Sequence, residues 1–536
     1  MPSHVLCARR PRDRAAHAGI DRDPERIAAF LEDAAHVPGG AAAGVVFPRT
    51  EADVAEVLRR EPSVLPIGAQ SSLTGGATPT GGIVLSTARL TQIDLGDVAS
   101  TGRVHVDAGV TLADLETALA AVGAWYPPAP TYLGASVGGT IATNAAGAAT
   151  FKYGTTRAWV DALTIVLASG DVLDVVRGAT RAHADGYFEL QLADRRVRLD
   201  VPSYRLPGVP KVSAGYYAAP EMDLIDLFIG AEGTLGVVTR ASLRVVRPRP
   251  AMAMVLVMCA AVDQGLRLVG ALRTQSRETW QSHDPAGIDV AAIEHMDRRC
   301  LQLLRDDGVD RALAIQVPVD AAMALLLTLE LPSGTNATAA FSEIAGALDP
   351  ATSDSGLVRF CRLLAAHGVL EAAEIALPGD RRQAALLAFR EAVPAAVNRR
   401  VGQAQRAIDP RIQKMAADVI VPFERLGELL EACAHEFATR ALDGAVWGHV
   451  SDGNLHPNVV PAQARDVEAG RAAVLALGRT AMRLGGAPCA EHGVGRNAAK
   501  RQLMAEMIGE EGLAAMQQIK RALDPRNILN PGKIFS

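Results

Sequence analysis

A chain of 536 residues exceeds what one hydrophobic core covers and is expected to divide into two or more domains. Its 49% hydrophobic and 21% charged residues are a globular balance, and a net charge of −5 offers no basic footprint for nucleic acid. The longest apolar run, Ala251 to Val262, falls short of the roughly 20 residues that span a bilayer, and six cysteines without C-x-x-C spacing exclude a disulfide framework or a Cys-based zinc site in favour of reduced thiols in a cytoplasmic setting.

Met1 to Pro24 is rich in Arg, Ala and His, and no apolar stretch follows the paired Arg9 and Arg10. Neither a secretory nor a twin-arginine signal is expected, so residues 1–42 form a ragged polar leader and a helix. From Ala43 to about Pro250, short Val/Ile/Leu runs alternate with glycine clusters, the pattern of strands punctuated by turns, with helical patterns at Glu51–Arg60 and Leu112–Val122. Three segments in this half are unusually rich in small residues. "PIGAQSSLTGG", Pro66 to Gly76, follows an apolar strand and exposes backbone N–H groups and hydroxyls in a nest suited to a pyrophosphate. "YLGASVGGTIATNAAG", Tyr132 to Gly147, and "IGAEGTLGVVT", Ile229 to Thr239, let a flat or charged ligand approach the backbone closely. None is the G-x-G-x-x-G of a dinucleotide fold, and the near match "GVGRNA" at Gly493 to Ala498 lacks a βαβ context. A nicotinamide cofactor is not expected.

Arg177 to Met222 follows neither periodicity and is expected to be an excursion or lid-like insertion. Pro248 and Pro250 mark a domain junction near 250, after which long helical patterns alternate with strands such as "MAMVLVM" and "ADVIVPF". "WGHVSDGNLHPNVV", Trp447 to Val460, places a Ser-Asp-Gly-Asn turn between two short strands. With those four residues as the loop, Val450 pairs with Leu455 and His449 faces His456, the two imidazoles leaving one face about 4.5–5.5 Å apart at Cβ. In "PCAEHGVGR", Glu491 and His492 are adjacent on an extended segment and so should point to opposite sides. Two imidazoles and a carboxylate suit zinc or another borderline divalent ion with an open coordination position.

These motifs carry a resemblance. "PIGAQSSLTGG", "ASVGGTIATNAAG", "KYGTTRAWV" and "DLFIGAEGTLGVVT" resemble the PCMH-type flavin-binding domain of the vanillyl-alcohol-oxidase superfamily. "GHVSDGNLHPN", "AEHGVG" and "LDPRNILNPGKIF" resemble its glycolate oxidase subunit, D-lactate dehydrogenase and D-2-hydroxyglutarate dehydrogenase branch. The resemblance implies an α+β protein: a flavin-binding domain of two α+β subdomains at 43–250 and a C-terminal FAD-linked oxidase domain at 251–536, with 520–536 returning to the first. It implies FAD on the loop of Ile67, Gly68, Ala69, Gln70, Ser71, Ser72, Gly75 and Gly76. Further contacts would come from Pro130, Ser136, Gly138, Gly139, Asn144, Gly147, Tyr153, Glu232, Gly233, Val238 and Asn530. Relatives with a covalent flavin carry a histidine where Ser71 or Ser72 stands, so the cofactor is expected to be non-covalent.

In the hydroxyglutarate and lactate relatives, the residues matching His449, His456 and Glu491 bind a divalent metal and that matching His492 is the base. Asn458 resembles a substrate-binding asparagine, and Arg390 in "AFREAV" would clamp a substrate carboxylate or lie solvated on its helix. The lysine that some relatives carry before the "ADVIVPF" strand is replaced by Ala416 and Ala417, with Lys414 the nearest cation. The activity implied is oxidation of a 2-hydroxy acid, with electrons passing to a quinone, a cytochrome or an electron-transfer flavoprotein, at the inner face of the membrane or in the cytoplasm, by a monomer or a homodimer. Alternatives are a flavin-dependent ether-lipid-synthase-like transferase, a flavin-free metal hydrolase and a non-catalytic flavoprotein subunit of a larger oxidase.

Overall fold

The computed structural model describes residues 3–535 apart from 13, 14, 16, 17 and 129. The chain divides into two compact units, one of Met1–Gly147, Gly154–Arg247 and Cys489–Ser536, the other of Ala148–Tyr153 and Pro248–Pro488.

In the first unit, Gly44–Val46, Ile83–Ser86 and Val64–Ile67 form a parallel sheet in that spatial order, with the helix Glu51–Arg60 as a crossover. The helix starts at a reciprocal cap, where the Thr50 hydroxyl accepts the Asp53 N–H and the Asp53 carboxylate accepts the Thr50 N–H. Its apolar stripe, Val54, Ala55, Val57 and Leu58, closes on Val46, Ile83 and Leu85. A second sheet is antiparallel, in the order Ile93–Asp94, Arg103–Asp107, Val237–Arg244, Val160–Val166 and Val172–Val176. These are the two α+β subdomains of a PCMH-type fold.

Two sequence expectations are corrected in this unit. The polar leader is not ragged throughout, because Val5–Cys7 pairs in parallel with Tyr187–Gln191 and Arg9 is held by Glu51 and Asp174 at 2.6 Å each. The excursion at 177–222 opens with a hairpin, Tyr187–Gln191 against Arg196–Asp200, whose buried Phe188, Leu190, Val197 and Leu199 alternate at the strand period. Residues 177–186, ahead of the hairpin, and 201–222, after it, lack helices and strands. The chain rejoins this unit at Cys489, upstream of the return expected at 520. Met504, Met516 and Ile519 of the helix Ala498–Leu523 enter the main core, and Leu529 bridges Val64.

The second unit is built on one antiparallel sheet, ordered Ala373–Ala376, Ala251–Cys259, Met323–Leu331, Val290–Asp297, Gly444–His449, Asn454–Val459 and Met415–Ala416, with Val419–Ile420 also against Asn454–Val459. The helices Arg382–Ala407 and Arg298–Asp306 cover one face, packing Leu386, Phe389, Val393 and Leu301 on Leu256, Met296, Leu326 and Trp447. No helix among the described residues is long and apolar enough to cross a membrane.

The expected hairpin is present, but its register differs. His449 pairs with Asn454 and His456 with Trp447, so the loop is 450–453 and the two histidines are diagonal neighbours. A shift of two residues preserves the pleat, and both imidazoles still leave the same face. Glycine fixes the register. A Cβ on Gly448 would strike the Asn454 carbonyl and stand 2.8 Å from Leu455 Cα, and one on Gly453, at φ 89°, would strike the Val421 carbonyl. Gly448→Ala is therefore expected to lower stability by about 1–3 kcal/mol, read as an earlier urea midpoint, whereas an unchanged midpoint would refute this register.

Candidate active site

In the second unit the strand pairing puts Glu294, His449, Asn454, His456 and Asn458 on one sheet face, because Glu294 pairs with His449 and Ala445 with Asn458. The rings of His449 and His456 are 5.3 Å apart and nearly perpendicular. His449 Nδ1 lies 2.9 Å from Glu294 Oε1, while Glu294 Oε2 accepts from Nε and Nη2 of Arg390, each at 2.8 Å. Burial alone would raise the Glu294 carboxyl, but the adjacent Arg390 and His449 charges outweigh it and hold the group down at about 2. Arg390 is thus neither a solvated arginine nor a freely presented clamp. It falls on the buried stripe of its helix and spends two donors on Glu294. His456 Nδ1 stands 3.6 Å from Asp418 Oδ1, and Asn454 donates to the same oxygen. Asn458 Nδ2 donates to the His456 carbonyl, and its Oδ1 is buried without a hydrogen-bond partner among the described residues. Lys414 is exposed, just ahead of Met415–Ala416.

Glu491 and His492 belong to the first unit. The segment is bent rather than extended, so the expectation of opposed side chains fails: His492 Nε2 lies 3.4 Å from Glu491 Oε1. The other carboxylate oxygen meets Lys211 Nζ at 2.7 Å. Two residues on, the Val494 and Gly495 N–H groups donate to Glu232 at 2.8 and 2.9 Å. Burial pushes the Glu232 carboxyl up, opposed by these two donors and by Lys500 and Lys533.

The three glycine-rich segments meet around this point. A Cβ on Gly68, which follows the buried Ile67, would collide with the Ser136 hydroxyl, and one on Gly138 would stand 2.7 Å from Ala108 Cβ. Ser136 caps the helix Val137–Ala142 through the Gly139 N–H, and Asn144, at φ 47°, accepts the Arg157 N–H. Gly233, at φ 70°, backs onto Pro66 beside Asn530. Asn530 donates to the Glu232 carbonyl, and its Oδ1 is buried with no partner among the described residues. Ala69 and Ser71 are exposed, Ser72 accepts the Thr74 and Gly76 N–H groups, and Gly75 receives Lys533 at its carbonyl. Gln70 braces the loop by donating to the Phe30 and Ala77 carbonyls. Pro130 and Val238 are half-buried in this unit, and Gly147 ends its first stretch. Tyr153 lies in the second unit instead, its hydroxyl on Glu330.

Residues 42–175 match the model of the FAD binding domain, and 278–534 match that of the FAD linked oxidases, C-terminal domain. The chain belongs to the FAD-linked oxidases. It is 28% identical to the probable mitochondrial D-lactate dehydrogenase of Danio rerio, over 92% of this chain and 84% of that one. It is 27% identical to the glycolate oxidase subunit GlcD of Bacillus subtilis (strain 168), over 92% and 88%, and 29% identical to the D-2-hydroxyglutarate dehydrogenase of Xanthomonas citri pv. viticola, over 88% and 84%. A solved alkyldihydroxyacetonephosphate synthase superposes with a TM-score of 0.60 over 96% of this chain and 82% of that one; at 13% identity this likeness concerns the fold.

As an FAD-linked oxidase the chain has a cradle that fits its cofactor. Gly68 against Ser136 and Gly233 against Pro66 let the three segments pack closely together, and the unsatisfied Asn530 Oδ1 at their meeting point can accept an N–H from a flat heterocycle. The imidazole pair with a carboxylate behind Nδ1 of His449 likewise fits a borderline divalent metal. Sequence reasoning missed Glu294, Asp418 and Lys211. Glu294 was signalled by a charge inside an apolar strand, "VAAIEHMD"; Lys211, in an aperiodic stretch, had no such signal. Glu294→Ala leaves Arg390 buried without its counter-charge and is expected to cost about 3–5 kcal/mol in chemical denaturation. Wild-type stability in that variant would show that the pair does not form.

Proposed function

We propose that this FAD-linked oxidase converts a 2-hydroxy acid to the corresponding 2-oxo acid. The support is that relatives aligned over about nine-tenths of the chain are named for lactate, glycolate and 2-hydroxyglutarate, each a carboxylate with a hydroxyl on the neighbouring carbon. FAD, when bound without a covalent link, supplies the two-electron acceptor. His449, His456 and Glu491 are the residues that would hold a divalent metal, which would supply a Lewis acid for the substrate hydroxyl and carboxylate.

The chain's own groups handle orientation and the proton. His492 accepts the hydroxyl proton, a role worth typically 10²–10⁴-fold for a positioned base. Glu294 fixes the ring of His449 through Nδ1, so that Nε2 is the nitrogen that would serve as the metal ligand. Asn458 Oδ1, buried without a partner among the described residues, would accept from the substrate hydroxyl. Arg390, with two donors on Glu294, has Nη1 for the substrate carboxylate, and Lys414 is the second cation for a longer acid. Reducing equivalents then leave for a quinone, a cytochrome or an electron-transfer flavoprotein.

The deciding experiment is anaerobic flavin bleaching against a panel of D- and L-2-hydroxy acids, where no bleaching by any member rejects the reading. His492→Ala is expected to keep its FAD and to lose about 10²–10⁴-fold in the reduction rate; a near-wild-type rate would remove His492 from the mechanism. His449→Ala should lower metal stoichiometry in the purified protein, and full stoichiometry would leave the hairpin a structural element.

A further inference from the structure

Lys211 is a buried lysine in the stretch that carries no regular secondary structure, its side chain 1% exposed. Its neighbours hold the segment containing Glu491 and His492. The Ser213 N–H donates to the Cys489 carbonyl, the Gly493 N–H donates to the Ser213 hydroxyl at 3.0 Å, and between these two anchors Lys211 Nζ takes Glu491 Oε2 at 2.7 Å. Glu491 Oε1 remains on the side of His492 Nε2. We propose that Lys211 is a positioning residue, which fixes the Glu491 rotamer by one oxygen so that the other serves the metal and His492. This rests on the function proposed above, and it assigns a catalytic purpose to a stretch that sequence reading treats as an insertion.

The physical reason is directional. A carboxylate with both oxygens unrestrained can chelate, rotate, or turn its charge away from the imidazole, whereas an ammonium on one oxygen leaves a single, oriented donor. Outer groups of this kind typically set metal affinity or activity by 10–100-fold.

The test uses the FAD-loaded protein, stripped of metal with a chelator and titrated with Zn²⁺. Lys211→Met is expected to weaken Zn²⁺ binding by about 10–100-fold with FAD content unchanged, and to lower kcat while KM stays within about twofold. Wild-type Zn²⁺ affinity together with wild-type kcat in that variant overturns the proposal. If the wild-type protein itself binds no Zn²⁺, the metal reading fails separately, and Lys211 is then judged on kcat alone: a drop at constant KM supports it and an unchanged kcat overturns it. Should Lys211→Met not fold, Lys211→Met combined with Glu491→Gln removes both charges; a folded double variant that still binds Zn²⁺ as tightly as the wild type overturns the proposal.

Discussion

One buried carboxylate holds the first unit together. Glu232 sits at φ 50° and accepts the Val494 and Gly495 N–H groups, while its own carbonyl receives Asn530. Those partners are more than 250 residues away in sequence, so the bonds close a very long loop and do so inside the protein, where a lost acceptor would strand two buried N–H groups. Gly493 and Gly495 are the necessary counterpart. At φ 73° and 53° they turn the chain so that consecutive N–H groups face one carboxylate, and a Cβ on Gly495 would stand 2.6 Å from the Thr74 carbonyl. The position of His492 follows, since it is the residue immediately before this turn and its carbonyl receives the Thr74 hydroxyl. Residues resembling a nucleotide fingerprint are thus a clasp for the glycine-rich loop.

The second unit solves a different problem, holding an imidazole in one orientation on a buried sheet face that also carries Asn454, His456 and Asn458. Arg390, Glu294 and His449 form a line in which each charge has a partner, and both oxygens of Glu294 are used. Packing the same positions with apolar side chains would be as stable or more so, given the cost of bringing charges out of water. Their presence is therefore a matter of direction: the carboxylate selects which histidine nitrogen faces outward, and the arginine keeps the carboxylate ionised and still.

Much of this was legible in the sequence, in the places where local chemistry decides. The helix Glu51–Arg60 lies where its period put it, and glycine density located three segments that pack closely, because close backbone approach requires glycine. The composition and order of the motifs were enough for the fold and the flavin. Less legible were features set by distant partners. The strand Val5–Cys7 looked like leader because its complement lies beyond residue 187, in a hairpin whose four inward residues were too few to stand out. Arg390 could have been placed better, since it sits four residues after Leu386 and three before Val393, on the same buried stripe. Lys211 could not, because its burial is created by a segment 280 residues downstream.

The histidine hairpin separates what a turn motif fixes from what it leaves open. Ser, Asp, Gly and Asn announced a reversal, yet composition alone does not choose among registers that place the reversal a residue or two earlier. The choice is made by contacts outside the motif: Gly453 lies against Val421 and Gly448 against its cross-strand neighbours, with no space for a side chain at either place. A slip of one would have turned either histidine toward the opposite face, away from Glu294. The observed offset of two leaves both on the same side and only converts a direct pair into a diagonal one, at a ring separation still compatible with sharing an ion. Side-chain parity, rather than exact pairing, is the property on which the chemistry of this sheet face depends.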